Sequence, residues 1–176
     1  MTAINWKPHF IYQTDYQHWA NEQVFAVLDR FEDHVRKSRQ GTLFDSIHNT
    51  VDHMLVLTHV WFGRLKAQPD ELPFNQVRYP EWRDLKRAFR QELRDMQRWL
   101  DSKPEDFFTQ QASYQTPEGR TTSFWVRDLL THLMLQLAHH RGQVTAVAGR
   151  LGAPAPELGY LFYRREMDKY LSQMKG

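Results

Sequence analysis

From Trp82 to Leu100 apolar side chains recur every third or fourth residue, as Trp82, Leu85, Phe89, Leu93, Met96 and Leu100, with arginines and acids filling the positions between them. That period is helical, and it draws one apolar stripe along an otherwise charged cylinder. The stripe must be covered, and further helices of the same kind are the partners that cover it. The period returns in four other stretches. Residues 15–35 carry Tyr16, Ala20, Val24, Val27, Leu28, Phe31 and Val35 at helical spacing, with Thr14 and Gln17 spaced as a capping box. A second helix is predicted over 43–66, with Thr42 and Asp45 in the same role at its start. Pro69, Pro73 and Pro80 bracket a loop, Pro80 falling where the first turn of the third helix tolerates a missing N–H. Between 107 and 123 the helical period fails. There Pro117-Glu118-Gly119 is a turn signal between 109–116 and 120–124, which predicts a short β-hairpin or an extended loop. A fourth helix is predicted over 124–151, ending before Gly152 and Pro154, and a shorter last one over 156–173. The whole predicts an all-α fold, an antiparallel four-helix bundle with a short hairpin or loop before helix four and a C-terminal helix. At 176 residues it is expected to form one domain, 1–176.

The chain has no cysteine, which excludes disulfides, thiolate metal ligands and cysteine nucleophiles. Any metal must then be held by nitrogen and oxygen. The formal charge of +2 gives no support for a nucleic-acid groove. Although the third helix is rich in arginine, Glu81, Asp84, Glu92 and Asp95 alternate with those residues, and the face reads as solvated. No apolar run approaches the roughly 20 residues of a membrane span, and Met1 to Pro8 contains no apolar core of a signal peptide. No nucleic-acid or membrane partner is expected, and the expected location is the cytoplasm.

Nine histidines are the candidate chemistry. At about 100° per residue, His48, Asp52, His59 and Lys66 collect on one polar wedge of the second helix, expected to face solvent. His53 lies away from it, among Thr50, Val56, Leu57 and Val60, and is expected to point inward. On the fourth helix the apolar stripe runs through Val126, Leu129, Leu133, Leu137, Val144 and Val147. Gln136 and His140 fall inside the stripe, and His132, His139 and Gln143 lie along its edge. Arg127, Thr131, Arg141 and Thr145 take the opposite side. Buried polar groups need partners, at a cost of about 1–3 kcal/mol each without them. A metal, an ordered water or the facing His53 are the alternatives for this pair.

Four motifs carry a resemblance. Residues 46–55, Ser-Ile-His-Asn-Thr-Val-Asp-His-Met-Leu, followed by Trp61 and Arg64, resemble the second-helix motif of the DinB (YfiT-like) family. His139-His140-Arg141-Gly142-Gln143 resembles its fourth-helix motif. Tyr16-Gln17-His18-Trp19-Ala20-Asn21 is similar to its first-helix signature, and Glu157-Leu158-Gly159-Tyr160-Leu161-Phe162 to its C-terminal segment. The resemblance implies a four-helix bundle, commonly a homodimer, that holds a divalent metal between its second and fourth helices. It maps the three family ligands onto His53, Gln136 and His140. Here the chain departs from the pattern, because the middle ligand is a histidine in the family and the residue before it, here Leu135, is often an asparagine. Glutamine offers a carbonyl oxygen, a weaker donor than imidazole toward zinc. The implied cofactor, zinc or nickel, is therefore expected to bind weakly or not at all, with His139 or His132 as substitutes.

Relatives of this kind resemble thiol-dependent S-transferases, in which the metal activates a small thiol. The expectation is a divalent-metal-binding protein, a metal-dependent thiol S-transferase or hydrolase with an altered His/Gln/His site. Gln143 and Arg64 are candidates to touch a small-molecule or thiol substrate, while Trp19 and Trp61 are expected in the core. The competing expectation is a non-catalytic dimeric bundle with a degenerate site, serving stress response or binding.

Overall fold

The computed structural model of the protein describes residues 4–41, 43–68, 72–73 and 76–174. Among them are six α-helices, α1 (Trp6–Leu28), α2 (Asp33–Lys37), α3 (Ile47–Leu65), α4 (Trp82–Asp101), α5 (Val126–Arg150) and α6 (Tyr160–Gln173). A 3-10 turn, Glu105–Thr109, and a hairpin, β1 (Gln111–Gln115) and β2 (Thr121–Trp125), lie between α4 and α5. The hairpin is the one the turn signal predicts. Its strands pair antiparallel with Tyr114 opposite Thr122 and Ala112 opposite Phe124. No helix is long and apolar enough to cross a membrane among the described residues.

The predicted start of the first helix is displaced. Thr14 is not a cap; it lies inside α1, fully buried, its hydroxyl donating to the Phe10 carbonyl. The helix begins eight residues earlier, at Trp6, with Pro8 in the first turn, where a missing N–H costs nothing. The orphan N–H groups of Trp6 and Lys7 donate to the carboxylate of Glu105 in the distant 3-10 turn. α1 stops at Leu28, so Phe31 and Val35 fall outside it, the latter in the separate α2. The start of α3 moves the other way, to Ile47. Its cap is Ser46, whose hydroxyl accepts from the Asn49 N–H at 3.1 Å; Thr42 and Pro69 lie outside the described residues. Pro80 precedes α4, whose N-cap is Glu81, and α6 starts only at Tyr160, after an extended 153–159.

The apolar stripes of α4 and α5 are buried as expected. α1 packs against α4 and α5, and α3 against the same two, so the four long helices close a ring of contacts around one apolar cluster. The directions differ from a uniformly antiparallel arrangement. Glu22 meets Arg90 and Lys7 meets Asp101, so α1 and α4 run oppositely. His48 touches Trp82 while His59 touches Glu92, which makes α3 and α4 parallel. Trp6 contacts Arg127 and Asn21 contacts Arg141, so α1 and α5 are parallel too. The reason lies in the connection over 66–81, whose 16 residues span up to about 3.3–3.6 Å each when extended, enough to return along the length of α3 before α4 begins.

That return also overturns the solvated wedge on α3. His48 and Asp52 are buried, each 1% exposed. The Asp52 carboxylate accepts the backbone N–H groups of Arg78 and Tyr79 at 2.9 and 2.8 Å, and His48 Nε2 donates to the Tyr79 carbonyl at 2.7 Å. The wedge is polar because a loop's backbone covers it.

Candidate functional site

α3 and α5 lie side by side in opposite directions. His53 meets His140 with ring centroids 4.8 Å apart. Eight residues on along α3 and eight back along α5, Trp61 meets His132 at the same 4.8 Å. The α3–α5 interface thus carries an imidazole pair at one end and an aromatic cluster about 12 Å away, at 1.5 Å rise per residue.

At the first end both imidazoles are buried, His53 8% and His140 5% exposed. The projection that turned them inward from separate helices is correct for both. Phe44 stacks on His53 at 3.8 Å, 20° between planes, and meets His140 edge-on at 5.6 Å. Helical periodicity gave no warning of this ring, which stands in the irregular segment before α3. A cavity of about 230 Å³ opens beside His53, floored by Asn49 and walled by Leu43 and Phe44.

The protonation state of His140 follows from its partner. Its Nδ1 lies 3.0 Å from Gln143 Oε1, and an amide oxygen only accepts, so the proton sits on Nδ1 and Nε2 keeps its lone pair. Gln143 Nε2 in turn donates to His139 Nε2 at 3.0 Å, so the amide spans both imidazoles. Burial holds His140 below the usual imidazole range despite the Gln143 bond, with His139 adding to the lowering, so the ring is neutral at neutral pH. Gln143 therefore sits against two histidines, a contact legible in its spacing of three and four residues from them.

Gln136 is half-buried one turn before His140, and its side chain makes no hydrogen bond to either imidazole among the described residues. Leu135, the second departure, points outward at 65% exposure and is not part of the same patch. His132 and His139 are exposed. Among the described residues no three histidine, aspartate or glutamate side chains are grouped closely enough to hold a metal.

At the other end Arg64 forms no salt bridge among the described residues. Its guanidinium lies 4.6 Å from the ring centroid of Trp61 and 4.3 Å from that of Tyr114. Trp61 packs against the apolar core as expected, but it is only half-buried and also lines a cavity. Trp19 is likewise half-buried, its indole N–H donating to Glu166 at 3.0 Å. Arg141 is the opposite case. Placed by projection on the outer side of α5, it is 1% exposed, because α1 packs on that side. It donates to Asn21 Oδ1 at 3.1 Å, and burial pulls its pKa down to about 10.

The DinB family profile matches residues 10–170, from within α1 to within α6. The chain belongs to the DinB family. A solved relative, a DinB family member protein from Shewanella denitrificans, is 16% identical, with 88% of each chain covered and a TM-score of 0.53. At that identity the likeness concerns the DinB fold alone. No curated protein matches the chain.

Proposed function

We propose that this DinB protein holds a divalent metal, zinc or nickel, between α3 and α5, with His53 and His140 as the strong donors and the Gln136 carbonyl oxygen as a weaker third. The separation of the two rings carries this reading. With metal–nitrogen bonds of about 2.0–2.1 Å, two imidazoles on one ion place their centroids roughly 4.5–5.2 Å apart for right-angled to tetrahedral geometry. The pair stands at 4.8 Å. Gln143 supports it from behind, since its carbonyl oxygen holds the His140 proton on Nδ1 and leaves the Nε2 lone pair available. Two imidazoles and an amide fit a divalent ion that retains an open position. A metal so held would act as a Lewis acid on a bound thiol or water, and we assign the protein on that basis to metal-dependent thiol S-transfer or hydrolysis. Arg64, with its fork free of carboxylates among the described residues, remains the candidate for substrate contact at the far end of the α3–α5 interface. The ring of α1, α4, α3 and α5 is on this reading the DinB four-helix bundle, and the protein works as a homodimer.

One observation favours a second reading, a non-catalytic binding bundle. The third donor is an amide, and among the described residues no carboxylate or third imidazole joins the pair. Elemental analysis of protein purified without chelator separates the two. The enzyme reading expects close to one divalent metal per chain, lost in His53→Ala and His140→Ala and kept in His59→Ala. Metal-free protein whose melting temperature ignores EDTA and added zinc would establish the second reading instead.

A further inference from the structure

The far end of the α3–α5 interface is a site of its own. A cavity of about 530 Å³ is walled by Trp61 of α3, Tyr114 of β1, Phe124 of β2, and Asp128, Leu129 and His132 of α5. The hairpin register builds it. Ala112, Tyr114, Thr122 and Phe124 share one face of the two-stranded sheet, and α5 leaves β2 directly, so its first two turns complete the wall. Trp61 stands edge-to-face to Tyr114 at 5.5 Å and to His132 at 4.8 Å. Phe124 is left 46% exposed, a large ring on an open wall.

The charge of the cavity is equally specific. Its one ionised wall residue is Asp128, whose ion-pair contact is with the adjacent Arg127 at 4.0 Å, the limit of such a contact. Aromatic faces carry the negative end of a quadrupole, and a carboxylate beside them adds a full charge of the same sign. Trp61 and Tyr114 already accept one cation, the Arg64 guanidinium, which is not among the cavity-lining residues. An anion entering the cavity would meet Asp128 and the ring faces; a neutral arene would bring no charge to set against the carboxylate, whose one ion-pair contact among the described residues, with Arg127, stands at 4.0 Å.

We propose that this cavity binds a small organic cation with an aromatic or apolar body, a quaternary or protonated arylalkylamine, its charged nitrogen against Trp61 and Tyr114 and balanced by Asp128. The site does not depend on a metal at His53 and His140, so the test is made on metal-free protein with EDTA present. Benzyltrimethylammonium is titrated while the Trp61 indole N–H is followed by proton–nitrogen NMR, with benzyl alcohol and phenylacetate as neutral and anionic counterparts. The expected result is saturable displacement of that resonance by the ammonium, at least about tenfold tighter than by either counterpart. Asp128→Asn should remove most of that preference and Phe124→Ala should weaken all three ligands, whereas Asp95→Asn, on the outer face of α4, should change nothing. Equal affinity for the alcohol, preference for phenylacetate, or an unaltered preference in Asp128→Asn would each overturn the proposal.

Discussion

At position 136 the chain carries an amide one helical turn before the buried His140, and on the proposed reading the affinity of the centre turns on that exchange. Replacing Gln136 with histidine restores a strong nitrogen donor to a scaffold whose other donors are already oriented. Zinc affinity should rise by about 1–3 kcal/mol, roughly five- to more than a hundredfold, as read by competition with a chromogenic chelator. No gain would place Gln136 outside the site. Gln143 acts one step further back. It holds the proton of His140 on Nδ1, and Gln143→Leu frees the ring to take the other tautomer or rotate. Metal affinity should fall about 10–100-fold, while the melting temperature of the metal-free protein stays close to that of the parent. The contacts of Gln143 with His140 and His139 were legible in the sequence, because i, i+3 and i, i+4 spacing on one helix fixes who can touch whom. Phe44 was not, since it reaches the imidazoles from a segment without a period. Nor was the burial of Arg141, since periodicity tells which side of a helix is polar but not whether a neighbour covers it.

Elements here owe their ends and faces to partners remote in sequence. The carboxylate of Asp52 holds the 78–79 backbone onto α3 through two N–H bonds. Asp52→Ala strands both donors and should destabilise the fold by about 2–3 kcal/mol, measured by denaturant unfolding. A solvated wedge, the sequence expectation, predicts almost no change. α1 offers a pH test. His18 is held below the ordinary 6.5 by burial and then by Arg94, and its Nε2 is buried with no hydrogen-bond partner among the described residues. The folded protein thus binds fewer protons than the unfolded chain, so this contribution is fully present above pH 6.5 and is lost as the pH falls below it. His18→Gln should flatten the acid side of a stability–pH curve. An unchanged acid limb would mean that His18 is as freely protonated folded as unfolded. The start of α1 shows the same dependence on distant partners, for its first N–H groups are capped by Glu105, about a hundred residues away, while the local capping box at Thr14 goes unused.

At the scale of the whole molecule, α6 leaves Leu161, Phe162 and Leu171 exposed, as is Met174 just after it, and buries only Tyr163 fully. We expect a second copy to cover that face. Light scattering should give twice the 21.1 kDa chain mass, reduced to the single mass by Leu161→Glu; a parent that is already monomeric would remove the homodimer from the proposal. The sequence by itself determined where the long helices lie though not where each begins and ends, where the hairpin turns, and that His53 and His140 face inward. These follow from period, turn chemistry and the cost of exposing an apolar stripe, all of which act within a few residues. Only the tertiary structure decided the course of the chain. The proline-bearing return over 66–81 makes α3 parallel to α4, buries a polar wedge, and leaves α3 and α5 antiparallel, so that His53 meets His140 and Trp61 meets His132. Those pairings join residues roughly 70 to 90 positions apart, and no local rule of spacing reaches that far.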